Sequence, residues 1–261
     1  MQPEPSFGIP RLDIAELTVR QAGMPPIEGI GMMARAGGVT ALIGPAGAGR
    51  ATLLAAVAGA VPVRHGEMRL DGRPFHRLPG RRRFDLGIAM VRADRLPPPG
   101  ATLFEAVAIA QVLAQRPAWA WLRRPLAAVG EHGRREVGQL LARLGLGELA
   151  DHPVTGLPLS HRRRLRLALA VVGRPRLLLA DRPWRGLMRQ ERRQHADLLR
   201  SLCEDGMAVL LVEDDLELVA ELATQVVVLH RGRLVAQGPP AQIGSSGEVR
   251  GIFAGEAAGW P

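Results

Sequence analysis

Between the apolar run Gly38–Ile43 (GVTALI) and the alanine- and leucine-rich run Ala51–Ala60 (ATLLAAVAGA) stands a turn of unusual composition, Gly44, Pro45, Ala46, Gly47, Ala48, Gly49, Arg50, Ala51 and Thr52. The first run has the length of a buried strand and the second the length and composition of a buried helix. Glycines at three of these positions let backbone N–H groups turn inward as an anion nest, and the start of the helix adds its dipole. A strand, a glycine loop and a helix in that order predict an α/β chain that can hold a phosphate at the end of a strand.

The loop departs from the usual phosphate-binding pattern G-x-x-x-x-G-K-[ST] at its last two positions. There the lysine reaches the β- and γ-phosphates and the hydroxyl holds Mg²⁺. Arg50 replaces the lysine and keeps its charge, although a planar fork is not equivalent to a compact ammonium. Ala51 replaces the hydroxyl and cannot ligate a metal. Taken alone, the loop fits an ordinary strand-to-helix turn as well as a phosphate cradle.

The rest of the chain alternates in the same way. Leu12–Val19 alternates apolar and polar residues as a half-buried strand does, and Gly66–Gly72 reads as a strand closed by an Asp-Gly turn. Leu86–Val91, Leu177–Asp181, Ala208–Glu213 and Val226–Leu229 are further strand candidates, with a last short one at Arg233–Ala236. Glu131–Leu144, Arg162–Val172 and Glu191–Cys203 carry helical patterns. Apolar strands alternating with helices predict a mostly parallel sheet covered on both faces. The all-helical stretch, residues 95–170, reads as inserted between two halves of that sheet.

Composition limits the alternatives. With 261 residues, 47% hydrophobic and 23% charged, the chain has the makeup of a globular domain with a core, which excludes disordered and collagen-like chains. Its single cysteine, Cys203, excludes an internal disulfide. No apolar run approaches the roughly 18 residues of a membrane span, and the first residues lack the basic head and apolar stretch of a secretory signal. The net charge of +9 points toward an anionic partner. All 34 basic residues are arginine, and lysine, tyrosine and asparagine are absent together. These three share A/T-rich codons, so a GC-biased genome explains the arginines without a nucleic-acid role.

Several segments in register resemble the ATP-binding subunit of ABC transporters, most closely the branched-chain amino acid importer type, from Leu12 to Glu256. Leu157–Ala168 (LPLSHRRRLRLA) stands where that family has LPYGQQRRLEIA or LSYGQQRRLEIA. Leu177–Leu187 (LLLADRPWRGL) is similar to LLLLDEPAAGL, Val209–Asp215 (VLLVEDD) to VLLVEHD, and Val249–Glu256 (VRGIFAGE) to the VIEAYLGE ending. The resemblance implies a P-loop NTPase fold of the ABC-ATPase type, a mostly parallel sheet core with flanking antiparallel strands and an inserted helical subdomain. On this reading residues 1–261 form one ATP-binding domain: an α/β core from residues 10–94 and 171–245, the helical subdomain 95–170, and a tail 246–261.

The same resemblance implies that the chemistry has eroded. The acid that polarises the attacking water falls at Arg182, and the switch histidine that senses the γ-phosphate falls at Asp214. The glutamine that reaches the metal falls at Arg92 or Ala93, and the aromatic that stacks on adenine falls near Gln21. The signature serine, glycine and glutamine fall at Pro158, Ser160 and His161. What persists is the loop Gly44–Thr52 for ATP and Asp181, whose carboxylate would orient hydrated Mg²⁺ through water. The charges at Arg50, Arg182, Asp181 and Asp214 are complementary, and an ion-pair network across the nucleotide site is expected. The expected function is a nucleotide-binding subunit with impaired hydrolysis, a pseudo-ATPase. It would sit at the inner face of the cell membrane, with a homologous ATP-binding subunit and transmembrane permease subunits as partners. The rivals are a divergent but working ATPase and an arginine-rich nucleic-acid-binding module; no base-reading motif supports the latter.

The remaining features read more simply. Trp119 and Trp121, within the helical stretch, fit a small subdomain core or an apolar contact with a membrane partner. Arg81–Arg83 and Arg162–Arg164 read as solvated faces rather than phosphate grips. The histidines show no metal-ligand spacing, and Cys203 reads as a small residue on a helix face.

Overall fold

The computed structural model describes residues 10–91, 97, 100–115 and 129–254. Arg92, Ala93, Trp119, Trp121 and Glu256 lie outside these residues.

Two sheets are present among the described residues. The first is antiparallel, in the order β2-β1-β4-β5, built from β1 (Leu12–Val19), β2 (Ile27–Ala34), β4 (His65–Leu70) and β5 (Arg73–Pro74). In β2, Ile27, Ile30, Met32 and Ala34 face inward, and Gly29 and Gly31 dilute an alternation that the sequence pattern does not bring out. The second sheet has the order β10-β9-β3-β8-β7-β6, from β3 (Val39–Ile43), β6 (Ile88–Val91), β7 (Leu177–Asp181), β8 (Ala208–Val212), β9 (Gln225–His230) and β10 (Arg233–Gly238). Its pairs are parallel except β9 with β10.

The central strands are buried on both faces, which is why they read as unbroken apolar runs. Successive side chains go to opposite faces. Leu178, Ala180, Val209 and Leu211 join the core beneath α3 (Leu103–Gln115), α4 (Glu131–Arg143), α5 (Leu159–Val171) and α6 (Arg189–Cys203). Leu177, Leu179, Leu210 and Val212 pack with the antiparallel sheet and α1 (Arg50–Ala58). A third cluster joins β3 and β9 to α7 (Leu216–Leu222), α8 (Pro240–Ser245) and α9 (Gly247–Phe253). Among the described residues, no helix is long and apolar enough to cross a membrane.

The far end of α1 is held in an unexpected way. Arg83, in the short helix α2 (Gly80–Asp85), is only 3% exposed, so the solvated-face reading of Arg81–Arg83 fails at this residue. Its guanidinium donates to the carbonyls of Ala56 and Val57 in α1 and to those of His76 and Leu78. The same group lies 5.2 Å from the centroid of the Phe75 ring. Carbonyls at a helix C-terminus lack intrahelical donors, and here a buried cation supplies them. Burial lowers the pKa of Arg83 from its ordinary value. Arg83→Ala is expected to remove this donor from four carbonyls, those of Ala56 and Val57 in buried contacts, costing roughly 3 kcal/mol or more, and to lower the melting temperature by about 6–12 °C. Thermal unfolding followed by circular dichroism checks this.

Candidate functional site

The register of the parallel sheet brings the candidate residues together. Leu42 of β3 and Asp181 of β7 both lie opposite Val212 of β8. The loop after β3, the residues after β7 and the residues after β8 therefore leave the sheet at one level, at the carboxyl ends of neighbouring strands. Ligands of open α/β sheets bind in such a crevice.

A cleft of about 400 Å³ opens there, lined by Gly44, Ala46–Thr52, Arg182, Glu213, Asp214, Leu216 and Phe253, among others. Gly44, Gly47 and Gly49 all have positive φ, at 146°, 79° and 97°. Gly49 caps α1 without any side-chain hydrogen bond, and the first turn of the helix holds no acid. The first amides of α1 therefore face the cleft without an intrahelical acceptor, as an anion cradle requires. A Cβ on Gly49 would lie 2.4 Å from Cγ2 of Ile27, so the loop is pressed against β2 and its shape is set by packing.

Thr52 is fully buried, and its hydroxyl donates to the Pro25 carbonyl at 2.8 Å. The hydroxyl thus ties the helix to the β1–β2 loop. From that loop Pro25 lines the cleft, and Gln21, where the adenine-stacking aromatic was expected, does not. The aromatic side chain in the lining comes from the other end of the chain, Phe253 of α9.

The four charged residues form the expected network. Arg50 Nη1 lies 2.5 Å from Asp214 Oδ1 and also donates to the Glu213 carbonyl at 3.3 Å. Arg182 Nε donates to Asp181 Oδ1 at 3.1 Å, and its Nη1 lies 3.6 Å from Asp214 Oδ2. Asp214 is thus shared by both arginines. The Arg50 side chain is 11% exposed and that of Asp214 is 53% exposed, so the pair sits at the cleft mouth and water screens it on one side. Burial works against the charge of Arg182, but Asp181 and then Asp214 outweigh it and raise its pKa. Arg182 also has φ +41°, in the left-handed region that costs a non-glycine residue roughly 1–2 kcal/mol.

The sequence reading gave Glu213 no role, yet it is a buried carboxylate in the cleft wall, 7% exposed. Its signal was slight: one acid ending an apolar strand. Its Oε1 accepts from the amides of Asp214 at 2.8 Å and Asp215 at 3.3 Å. Burial raises its pKa more than these amides lower it. The folded protein therefore holds this proton to higher pH than the unfolded chain. The group's contribution to stability is full below the ordinary carboxylate range and is lost as pH rises through the raised value. Glu213→Gln, which keeps the accepting oxygen, is expected to raise the melting temperature at neutral pH and leave it unchanged in acid. A melting series against pH reads this directly.

The signature positions stand apart from this cleft. Pro158 caps α5 in extended backbone, and Ser160 and His161 begin the helix. The Ser160 carbonyl lies 3.2 Å from Nε2 of the buried His195 on α6. Gly186, at φ +88°, turns the chain against Leu159, so the segment after Asp181 and the start of α5 are packed together. Cys203 is buried, and burial pushes its thiol up to about 11.

The loop and the cleft it opens suit a polyphosphate. The donor set suits a divalent cation poorly: Ala51 brings no oxygen, Asp181 is engaged by Arg182, and Asp214 by two arginines. Among the described residues, no group of three or more histidine, cysteine, aspartate or glutamate side chains is placed to hold a metal.

A parallel sheet with a glycine loop leading into α1 at its carboxyl edge, joined to an antiparallel sheet and a helical layer, defines a P-loop nucleotide-binding fold. Residues 27–185 match the family described as ABC transporter, and this chain belongs to that family, as an ATP-binding subunit. It is 33% identical over 242 residues to a hemin import ATP-binding protein of Streptomyces coelicolor, covering 91% of this chain and 81% of that one. It is 29% identical over 259 residues to a high-affinity branched-chain amino acid transport ATP-binding protein of Pseudomonas aeruginosa, covering 95% and 99%. A putative ABC transporter ATP-binding protein of Streptomyces avermitilis is 38% identical, and the chain spans only 40% of its length. The fold is that of an ATP-binding cassette solved in its ADP conformation, with a TM-score of 0.83 over 95% of this chain and 99% of that one at 19% identity.

Proposed function

We propose that this chain is the nucleotide-binding subunit of an ABC importer of the branched-chain amino acid type, one that binds ATP and has lost efficient hydrolysis. It works as a pseudo-ATPase at the inner face of the membrane, paired with a second ATP-binding subunit and with transmembrane permease subunits. The near end-to-end match with the Pseudomonas aeruginosa relative supports the importer type. The single observation that carries the loss of hydrolysis is the pairing of Arg182 with Asp181 and Asp214. A guanidinium held between two carboxylates cannot accept a proton from water, and it stands where the resemblance puts a base.

On this reading residues Gly44–Thr52 cradle the phosphates, with the Arg50 guanidinium as the charged donor. Asp214 competes with phosphate for that guanidinium. Calorimetric titration of the purified protein with ATP tests the proposal. Arg50→Ala is expected to weaken binding by about tenfold or more, since hydrogen bonds from a charged donor are the stronger kind. Asp214→Asn, which removes the competitor but keeps its size, is expected to tighten binding by roughly threefold. Equal affinity in all three proteins would mean that ATP does not use this cleft.

A further inference from the structure

Among the described residues, the carboxylates at the cleft are already engaged. Asp181 accepts from Arg182, Asp214 meets both Arg50 and Arg182, and Glu213 accepts from two backbone amides. The residue after Arg50 brings only a methyl group. A divalent ion approaching Asp181 would meet the fixed positive charge of Arg182, whose side chain is 37% exposed and faces the same space.

We propose that the cleft takes the phosphates of a nucleoside di- or triphosphate without a divalent cation, the Arg182 guanidinium supplying beside Asp181 the positive charge that a metal would bring. The inference rests on the nucleotide-binding reading above. A basic side chain where the resemblance puts an acid makes the site two charge units more positive, the same charge as a divalent ion. Asp214 gives back one unit, but it lies at the exposed mouth and is shared by both arginines, so an entering phosphate displaces it. The two guanidinium groups are planar forks, suited to gripping phosphate oxygens in pairs where a metal would bridge them. The amides of the loop and of the first turn of α1 complete the cradle and require no metal.

The experiment is a calorimetric titration of the full chain with ADP and with ATP, in excess Mg²⁺ and in excess EDTA. The native protein is expected to bind with dissociation constants within about threefold of each other in the two buffers. Arg182→Gln is expected to bind about tenfold more weakly in EDTA and to recover on addition of Mg²⁺, because the neutral side chain no longer repels the ion. Native binding that falls tenfold or more in EDTA overturns the inference and leaves the nucleotide site standing. An Arg182→Gln protein that melts normally and binds like the native chain in EDTA overturns the role given to Arg182. No binding of either nucleotide in either buffer removes the nucleotide-binding reading itself. The comparison of buffers on the native protein needs no variant to fold.

Discussion

Incubated with ATP and Mg²⁺, this protein is expected to release phosphate at least about 10²-fold, and up to about 10⁴-fold, more slowly than a relative with a carboxylate after the strand-ending aspartate. The reason is geometric as well as chemical. Arg182 has its Nε on Asp181 and its Nη1 near Asp214, so the position where the resemblance puts a general base holds a cation tied down on two sides. Arg182→Glu alone is not expected to restore turnover. It would gather Asp181, Asp214 and the new carboxylate around Arg50 as the remaining charged donor, and Ala51 would still offer no metal ligand. Groups that act as a unit in catalysis return together or not at all. The triple change Ala51→Ser, Arg182→Glu and Asp214→His is therefore the informative variant. Phosphate release measured for the native chain, the single variant and the triple variant decides the matter. Mg²⁺-dependent turnover by the native chain that disappears in Asp181→Asn would sink the pseudo-ATPase reading.

The second large effect concerns the stability of the loop. A Cβ on Gly44 would lie 2.0 Å from the Leu229 carbonyl oxygen, a backbone atom of a central strand that cannot swing away. Gly44→Ala is therefore expected to cost about 4 kcal/mol or more, a fall of roughly 8–16 °C in melting temperature for a domain of this size. Gly47 provides the control. Its φ is also positive, at 79° against 146° for Gly44, yet a Cβ there meets nothing within 4 Å. Gly47→Ala should cost only the dihedral penalty, about 1–2 kcal/mol. Similar melting temperatures for the two variants would show that the loop is not locked against β9 as described.

Much of the sheet could be read from local pattern, because strands buried on both faces are apolar throughout. Val39–Ile43, Leu177–Asp181 and Ala208–Val212 are all of this kind. Strand β2 escaped because two glycines blur its alternation, and α7 because a seven-residue helix leaves too short a period to count. Arg83 misled for a different reason. Three arginines in a row look alike as letters, and only the packing of α2 against the end of α1 selects one of them for burial. Glu213 was one acid among three consecutive acids, Glu213, Asp214 and Asp215, and their fates diverge with the path of the chain. The first is buried on backbone amides, the second faces two arginines, and the third caps α7 by accepting from the Leu218 amide.

What could be known from the order of residues alone is therefore of two kinds. Composition and spacing determine the α/β class and the glycine loop, since backbone freedom and apolar periodicity are local properties. The same letters show no hydroxyl at position 51, no carboxylate at 182 and no imidazole at 214, where the resemblance puts them, and such absences need no coordinates to establish. Which charges meet was decided only by the folded chain. Arg50 and Asp214 are far apart in sequence, and the charge complementarity that pairs them on paper is equally compatible with many other pairings. The parallel register that sets Asp181 and Leu42 against Val212 brings both arginines to a single carboxylate. Electrostatic interaction depends on distance and burial, and neither is fixed until strands distant in sequence are laid side by side.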